Sequence, residues 1–188
     1  SKYFFKNRMN RLAKKQFIII SDALRYEVGA ELVKKLNRVD KFNGLAKLEY
    51  QITTLPSITM FGMASLLPNE TISYENKQVF VDGKPSSGTD NRDKILKVKS
   101  ASYAAIQYAD IVKMNKEELR RYMDDKSLVY IYHDTIDNAG EHDTDVFEAC
   151  NTAIKEIIDL IRKLYNTLQI SNYLITSDHG FVYRNKKI

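Results

Sequence analysis

Two apolar spacings alternate along this chain, one suited to buried strands and one to amphipathic helices, and their alternation predicts an α/β fold. Phe4, Phe5, Met9 and Leu12 stand at helical spacing among the basic residues of 2–15, and a buried strand is expected over 16–21. Behind Asp22, the residues Leu24, Val28, Leu32, Val33 and Leu36 recur every three or four positions, predicting a helix to about Asn37. A second strand is expected over 48–53. Ile58, Phe61, Met63, Leu66 and Leu67 mark a helix over 57–67, closed by Pro68. Then the pattern changes. Ile72 and Tyr74 alternate on one side of Glu75-Asn76-Lys77, Val79 and Val81 on the other, a hairpin signal, and 83–91 is polar and loop-like. An insertion or lid over about 69–92 follows from this. The remaining expectations are a short helix over 93–98, a strand over 102–107, and a helix to about Asp124 opened by the capping-box pair Asn115 and Glu118. An apolar strand over 128–132, a long helix over 145–168 and a last buried strand over 173–176 complete the series. No internal repeat appears.

Composition narrows the picture. The 188 residues are 44% hydrophobic, enough to line the core of one domain, so a single domain over 1–188 is expected. Seven Gly and three Pro are too few for a chain of many tight turns. The net charge of +5 comes from scattered residues, with no basic block beyond the spread between Lys2 and Lys15, so nucleic acid is permitted without being indicated. The one cysteine, Cys150, can form no internal disulfide and has no cysteine partner for zinc, which points to a reducing compartment. The longest strand-like apolar run, Phe17–Ile20, is far short of the ~20 residues of a membrane span and is too short for a secretory signal. A soluble cytoplasmic protein with no membrane partner is therefore expected. A start at Ser1 and a stop just past a strand end read as a piece of a longer chain that lacks a C-terminal part.

The candidate chemistry collects behind the strands. Asp22 follows the first, Thr54 the second, His133, Asp134 and Asp137 the strand over 128–132, and Asp178 and His179 the last. Ligands of open α/β sheets bind outside the carboxyl ends of the strands, so these groups would meet there. The bland reading of Asp22 and Asp134 is an N-cap, since Asp favours that position in any protein. Asp178-His179-Gly180 is harder to explain away, because a carboxylate and an imidazole ahead of a glycine make two ligands whose backbone can bend around an ion. His133, at a strand end and half buried by expectation, reads as structural. The run 134–143 packs four carboxylates and His142 into ten residues. It is either a solvated acidic turn or a loop bridged by a cation. Thr54 is the candidate nucleophile, since its hydroxyl is unreactive until a base or a cation lowers its pKa; the bland alternative is a β-branched residue chosen for packing. Ser57 and Thr59 are nucleophile alternatives in the same turn, and Pro56 would stop the strand and release Thr54.

Other templates fail: there is no Gly-x-Gly-x-x-Gly, no Walker A sequence, no Gly-x-Ser-x-Gly and no His-Glu-x-x-His. Four motifs in order carry a resemblance instead. They are Ile19-Ile20-Ser21-Asp22-Ala23-Leu24-Arg25-Tyr26-Glu27, then Thr54-Leu55-Pro56-Ser57-Ile58-Thr59 leading to Leu66-Leu67-Pro68, then Tyr132-His133-Asp134-Thr135-Ile136-Asp137, then Thr176-Ser177-Asp178-His179-Gly180-Phe181. Together they resemble the PglZ domain of the alkaline phosphatase superfamily, the phosphatase-like component of BREX and Pgl bacteriophage-exclusion systems. The resemblance implies a doubly wound, mostly parallel sheet with helices on both faces and two adjacent divalent cations, commonly zinc, with manganese or magnesium as alternatives. It matches Thr54 to the nucleophile, and Asp22, Thr54, Asp178 and His179 to one cation's ligands. Asp137 matches the other cation's set, where relatives carry Asp, three residues, then His; here Glu141 holds that spacing and His142 comes one later, and either could serve. A further His ligand is expected beyond Ile188. The implied activity is metal-dependent phosphoester hydrolysis in phage defence, with a phosphoester substrate, nucleic acid included, and other phage-exclusion proteins as partners. The competing class is a non-catalytic, metal-stabilised scaffold that docks such partners.

Overall fold

Six consecutive residues, Gln16–Ser21, are all buried, which only a strand covered on both faces allows, and this strand lies at the centre of the molecule. The computed structural model describes residues 4–9, 15–42, 44–141 and 145–180, with the backbone alone for Met9 and Glu141. Its elements are α1 (Phe4–Met9), β1 (Gln16–Ser21), α2 (Tyr26–Leu36), α3 (Thr59–Leu66), β2 (Ile72–Glu75), β3 (Gln78–Val81), β4 (Lys84–Pro85), α4 (Thr89–Lys99), β5 (Tyr103–Gln107), α5 (Tyr108–Ile111), α6 (Lys116–Met123), β6 (Leu128–His133), α7 (Thr135–Glu141), α8 (Val146–Leu168) and β7 (Tyr173–Thr176). The main sheet has four strands in the order β5-β6-β1-β7, all parallel. The strands β2, β3 and β4 form a separate antiparallel sheet.

The period of two in β1 sorts its side chains into two cores. Phe17 and Ile19 face α2, α5, α6, α7 and α8, where Leu32, Ile111, Leu119, Ile136, Ile157 and Leu164 pack. Ile18 and Ile20 face α1, α3, α4 and the small sheet, against Phe4, Met63, Leu66, Val81 and Leu96. Helices thus cover both faces of a parallel sheet, the architecture the alternating pattern predicts. The register of β1 against β6 pairs Ile20 with Tyr132 and Ser21 with His133, so both strands end at one level and deliver their following residues to the same edge.

Three expectations are corrected. The segment 48–53 is not a strand: Tyr50 and Ile52 are exposed and no strand among the described residues pairs with it, so its alternation has no buried face to occupy. Instead it borders a cavity of about 740 Å³ between α2 and the sheet edge β7. The start of the acidic run, read as a loop, is helical over α7, because Ile136 and Ala139, three apart, bury one side of it. The polar stretch over 83–91 ends earlier than expected, with β4 pairing on β3 and α4 starting at Thr89. The Asn115–Glu118 capping box forms as expected, with both reciprocal bonds present. Among the described residues no helix is long and apolar enough to cross a membrane.

Candidate cation centre

Asp22 leaves β1 through a tight turn rather than capping a helix. The N-cap of α2 is Arg25 and makes no side-chain cap bond, so the capping explanation of Asp22 does not hold. The next residue, Ala23, sits at φ +59°, a left-handed conformation that costs a non-glycine residue energy and is held in place by its surroundings. Its N–H donates to Asp178 Oδ1 at 3.2 Å, and the Asp22 N–H donates to the His133 carbonyl at 2.8 Å. The turns after β1 and β7 are thereby locked together. Asp22 and Asp178 are almost fully buried, at 6% and 3% exposure.

Three groups offer ligand atoms that all lie within 4.8 Å of one another: Asp22, Asp137 and His179. His179 Nε2 is 3.5 Å from Asp22 Oδ1 and 3.4 Å from Asp178 Oδ2, and it shares a 2.9 Å hydrogen bond with Thr59 Oγ1. Asp22 Oδ1, Asp178 Oδ2 and Thr54 Oγ1 are buried without a hydrogen-bond partner among the described residues. Burial, then the charges of Asp178 and Asp137, push the Asp22 carboxyl up to about 8, with Arg92 opposing. Buried acids crowded in this way repel one another unless a proton or a cation joins them, and carboxylate with imidazole is a donor set that suits a divalent cation. The residues present therefore fit a cation. The family resemblance assigns Asp137 to the neighbour of the cation that Asp22 and His179 would hold, and in the fold the three groups stand together. His142 and the Glu141 side chain lie outside the described residues.

Several neighbours support these groups. Thr53 Oγ1 donates to the Asp178 carbonyl at 2.9 Å, fixing the segment that presents Thr54. His133, expected half buried, is 1% exposed and has its ring between Ser21 Oγ at 3.0 Å and Glu156 Oε2 at 2.9 Å, with Tyr108 edge-on. It ties the ends of β1 and β6 to α8. Gly62 in α3 touches the backbone of Asp178: a Cβ there would stand 2.5 Å from the Asp178 oxygen. A motif search cannot find such a contact, because only the packing of α3 on the turn after β7 creates it. Gly62→Ala is expected to displace Asp178, costing about 1–3 kcal/mol and weakening cation binding. Chemical denaturation and calorimetric titration of zinc measure the two effects.

An α/β sheet with acids and an imidazole at its carboxyl edge is the arrangement of an alkaline phosphatase-like domain, and the family comparison agrees. The model of the BREX system PglZ alkaline phosphatase-like domain matches residues 4–188, and the chain belongs to that family. It is 40% identical over 185 residues to the alkaline phosphatase-like protein BrxZ of Escherichia coli O9:H4 (strain HS). It is 41% identical over 183 residues to the alkaline phosphatase-like protein PglZ of Bacillus cereus (strain H3081.97). Each match covers 95% of this chain and 21% of the relative, so the chain spans about a fifth of the length of these relatives. No solved structure matches it.

Proposed function

We propose that this chain is the core domain of a cation-dependent phosphoester hydrolase of a bacterial BREX system. In this reading Asp22, Asp178 and His179 hold one divalent cation, zinc in the first place, with Thr54 as both nucleophile and ligand. Asp137, with Glu141 or His142, serves a second. The observation that carries the proposal is the meeting of Asp22, Asp137 and His179 within 4.8 Å, with buried oxygens on Asp22 and Asp178 beside it that have no hydrogen-bond partner among the described residues.

A bound cation would lower the pKa of the Thr54 hydroxyl and offset phosphoryl charge. Thr54 Oγ attacks phosphorus and loses its proton to solvent; the ester P–O bond breaks, and the leaving oxygen takes a proton from water. Water then attacks the threonyl phosphate, the P–Oγ bond breaks, and the hydroxyl is restored as phosphate or a monoester departs. Thr53, bonded to the Asp178 carbonyl, orients Thr54, and Thr59 orients the His179 ring. Nucleic acid falls within the phosphoester class, and the partners would be other proteins of the system, in a cytoplasmic setting that suits the lone buried Cys150.

The test is metal content by mass spectrometry after dialysis against a weak chelator, with hydrolysis of chromogenic phosphomonoesters and phosphodiesters, on the full-length protein that carries this chain. We expect at least one retained zinc or manganese ion and hydrolysis that stops when it is stripped. A retained ion without hydrolysis would favour the metal-stabilised scaffold, and no retained ion would remove the cation centre.

A further inference from the structure

Glu156 interrupts a row of apolar residues on α8. Ala153, Ile157 and Leu160, which stand beside it or one turn away on the same side of the helix, are all buried. Its carboxylate reaches the strand ends. Oε2 stands 2.9 Å from His133 Nε2, and Thr135 Oγ1 donates to the same oxygen at 2.6 Å. A carboxylate can only accept, so the ring carries a proton on Nε2. The other ring nitrogen, Nδ1, lies 3.0 Å from Ser21 Oγ. Ser21 and His133 are both buried and pair in register at the ends of β1 and β6.

One oxygen thus links α8 to β6, α7 and, through the ring, β1, just where the centre is built. Asp22 follows Ser21 directly, and its N–H donates to the His133 carbonyl at 2.8 Å. Asp137 lies on the first turn of α7, the helix that Thr135 opens. Ligand atoms of Asp22, Asp137 and His179 gather within 4.8 Å, and two carboxylates that close repel each other until a cation joins them. The helix α7 must hold its place against that repulsion. It buries Ile136 and Ala139, and the Thr135–Glu156 bond adds a directional tie that apolar contact does not supply. Stability alone would not call for an acid here, because exchanging a buried polar network for apolar groups of similar shape is often neutral or stabilising.

We propose that Glu156 is a positioning residue: through His133 and Thr135 it sets the separation of Asp22 and Asp137, and with it the geometry of the cation centre. This role rests on the cation-dependent reading above. It goes beyond the ligand set, since Glu156 acts through the end of β6 and the start of α7 rather than on the ion.

The test uses the full-length, metal-free protein, titrated with zinc by calorimetry and with cobalt(II) by visible absorption, whose bands report the ligand geometry around the ion. Thr135→Val keeps the shape of the side chain and frees α7 from Glu156. Glu156→Gln keeps an oxygen where both donors point and removes the charge, whereas Glu156→Ala removes both. In Thr135→Val and Glu156→Ala zinc affinity is expected to fall about tenfold or more, the scale seen when an outer partner of a metal centre is lost, and the cobalt bands should shift. Glu156→Gln should stay within about twofold of wild type, with unchanged bands, because geometry and not charge is what it preserves. If Glu156→Ala does not fold, the other two variants decide. Zinc affinity within about twofold of wild type in Thr135→Val overturns the proposal, as does a weaker affinity with unchanged cobalt bands, which marks a strut of the fold. A loss in Glu156→Gln as large as in Thr135→Val also overturns it, since it would trace the effect to charge. If the wild type binds neither zinc nor cobalt, the cation centre itself fails and this role falls with it.

Discussion

Thr54→Ala should lower phosphoester turnover of the full-length, cation-loaded protein by roughly a thousandfold or more, the scale seen when a nucleophile is deleted. The fold should hardly notice. Thr54 Oγ1 is buried without a partner among the described residues, so truncation removes no hydrogen bond that those residues make and should shift stability by less than about 1 kcal/mol. Thr54→Ser keeps the attacking oxygen and should retain most of the turnover. Steady-state kinetics beside a melting curve separates the cases. Retained turnover in Thr54→Ala with loss in Ser57→Ala would move the nucleophile along the turn. Thr59 is the weaker alternative, since its hydroxyl is engaged with His179 at 2.9 Å.

Loss of the Asp178 charge should remove cation binding almost entirely. Its Oδ1 is engaged with the Ala23 N–H while Oδ2 is unpartnered among the described residues and 3.4 Å from His179 Nε2, so one oxygen builds the turn and the other remains for an ion. Asp178→Asn retains an acceptor for Ala23 and is the cleaner variant; Asp178→Ala also breaks the link between the two turns. In wild type, zinc at a thousand times its Kd should stabilise the fold by about 4 kcal/mol, and in Asp178→Asn that gain should vanish. Chemical denaturation with and without zinc reads it directly, and an undiminished gain would show that Asp178 is not a ligand.

The same variant changes the pH dependence of the metal-free protein. Asp22 is raised from 3.8 to about 8, chiefly by burial and next by Asp178, so between those limits the folded state holds a proton that the unfolded state has released. Stability must then fall as pH rises from about 4 to about 8 on account of this group. Asp178→Asn should make the fall shallower by removing one source of repulsion.

How much of this was legible beforehand depends on how local the cause is. The buried strand 16–21, the helix behind Asp22, the capping box at Asn115, the hairpin over 72–81 and the long amphipathic helix 146–168 depend on spacing within one segment, and each forms where its pattern lies. The order of strands with acids behind them likewise places Asp22, Asp137, Asp178 and His179 at one sheet edge. The segment 48–53 had the same kind of signal and did not become a strand, because alternation needs a partner and a buried face, which no residue within the segment can provide.

By itself, then, the sequence determined that Asp22, Asp137, Asp178 and His179 follow strands and that the fold is α/β, since periodicity and turn chemistry act over a few residues, whereas Thr54 follows no strand. Tertiary structure decided how closely those groups approach and what packs around them. It joined Asp137 to Asp22 and His179, set Gly62 against the Asp178 backbone, gave Thr59 to His179, and brought Arg92 from beyond the hairpin onto Tyr132. Each of these contacts joins residues at least 40 positions apart, and such distances close only when helices pack on a formed sheet.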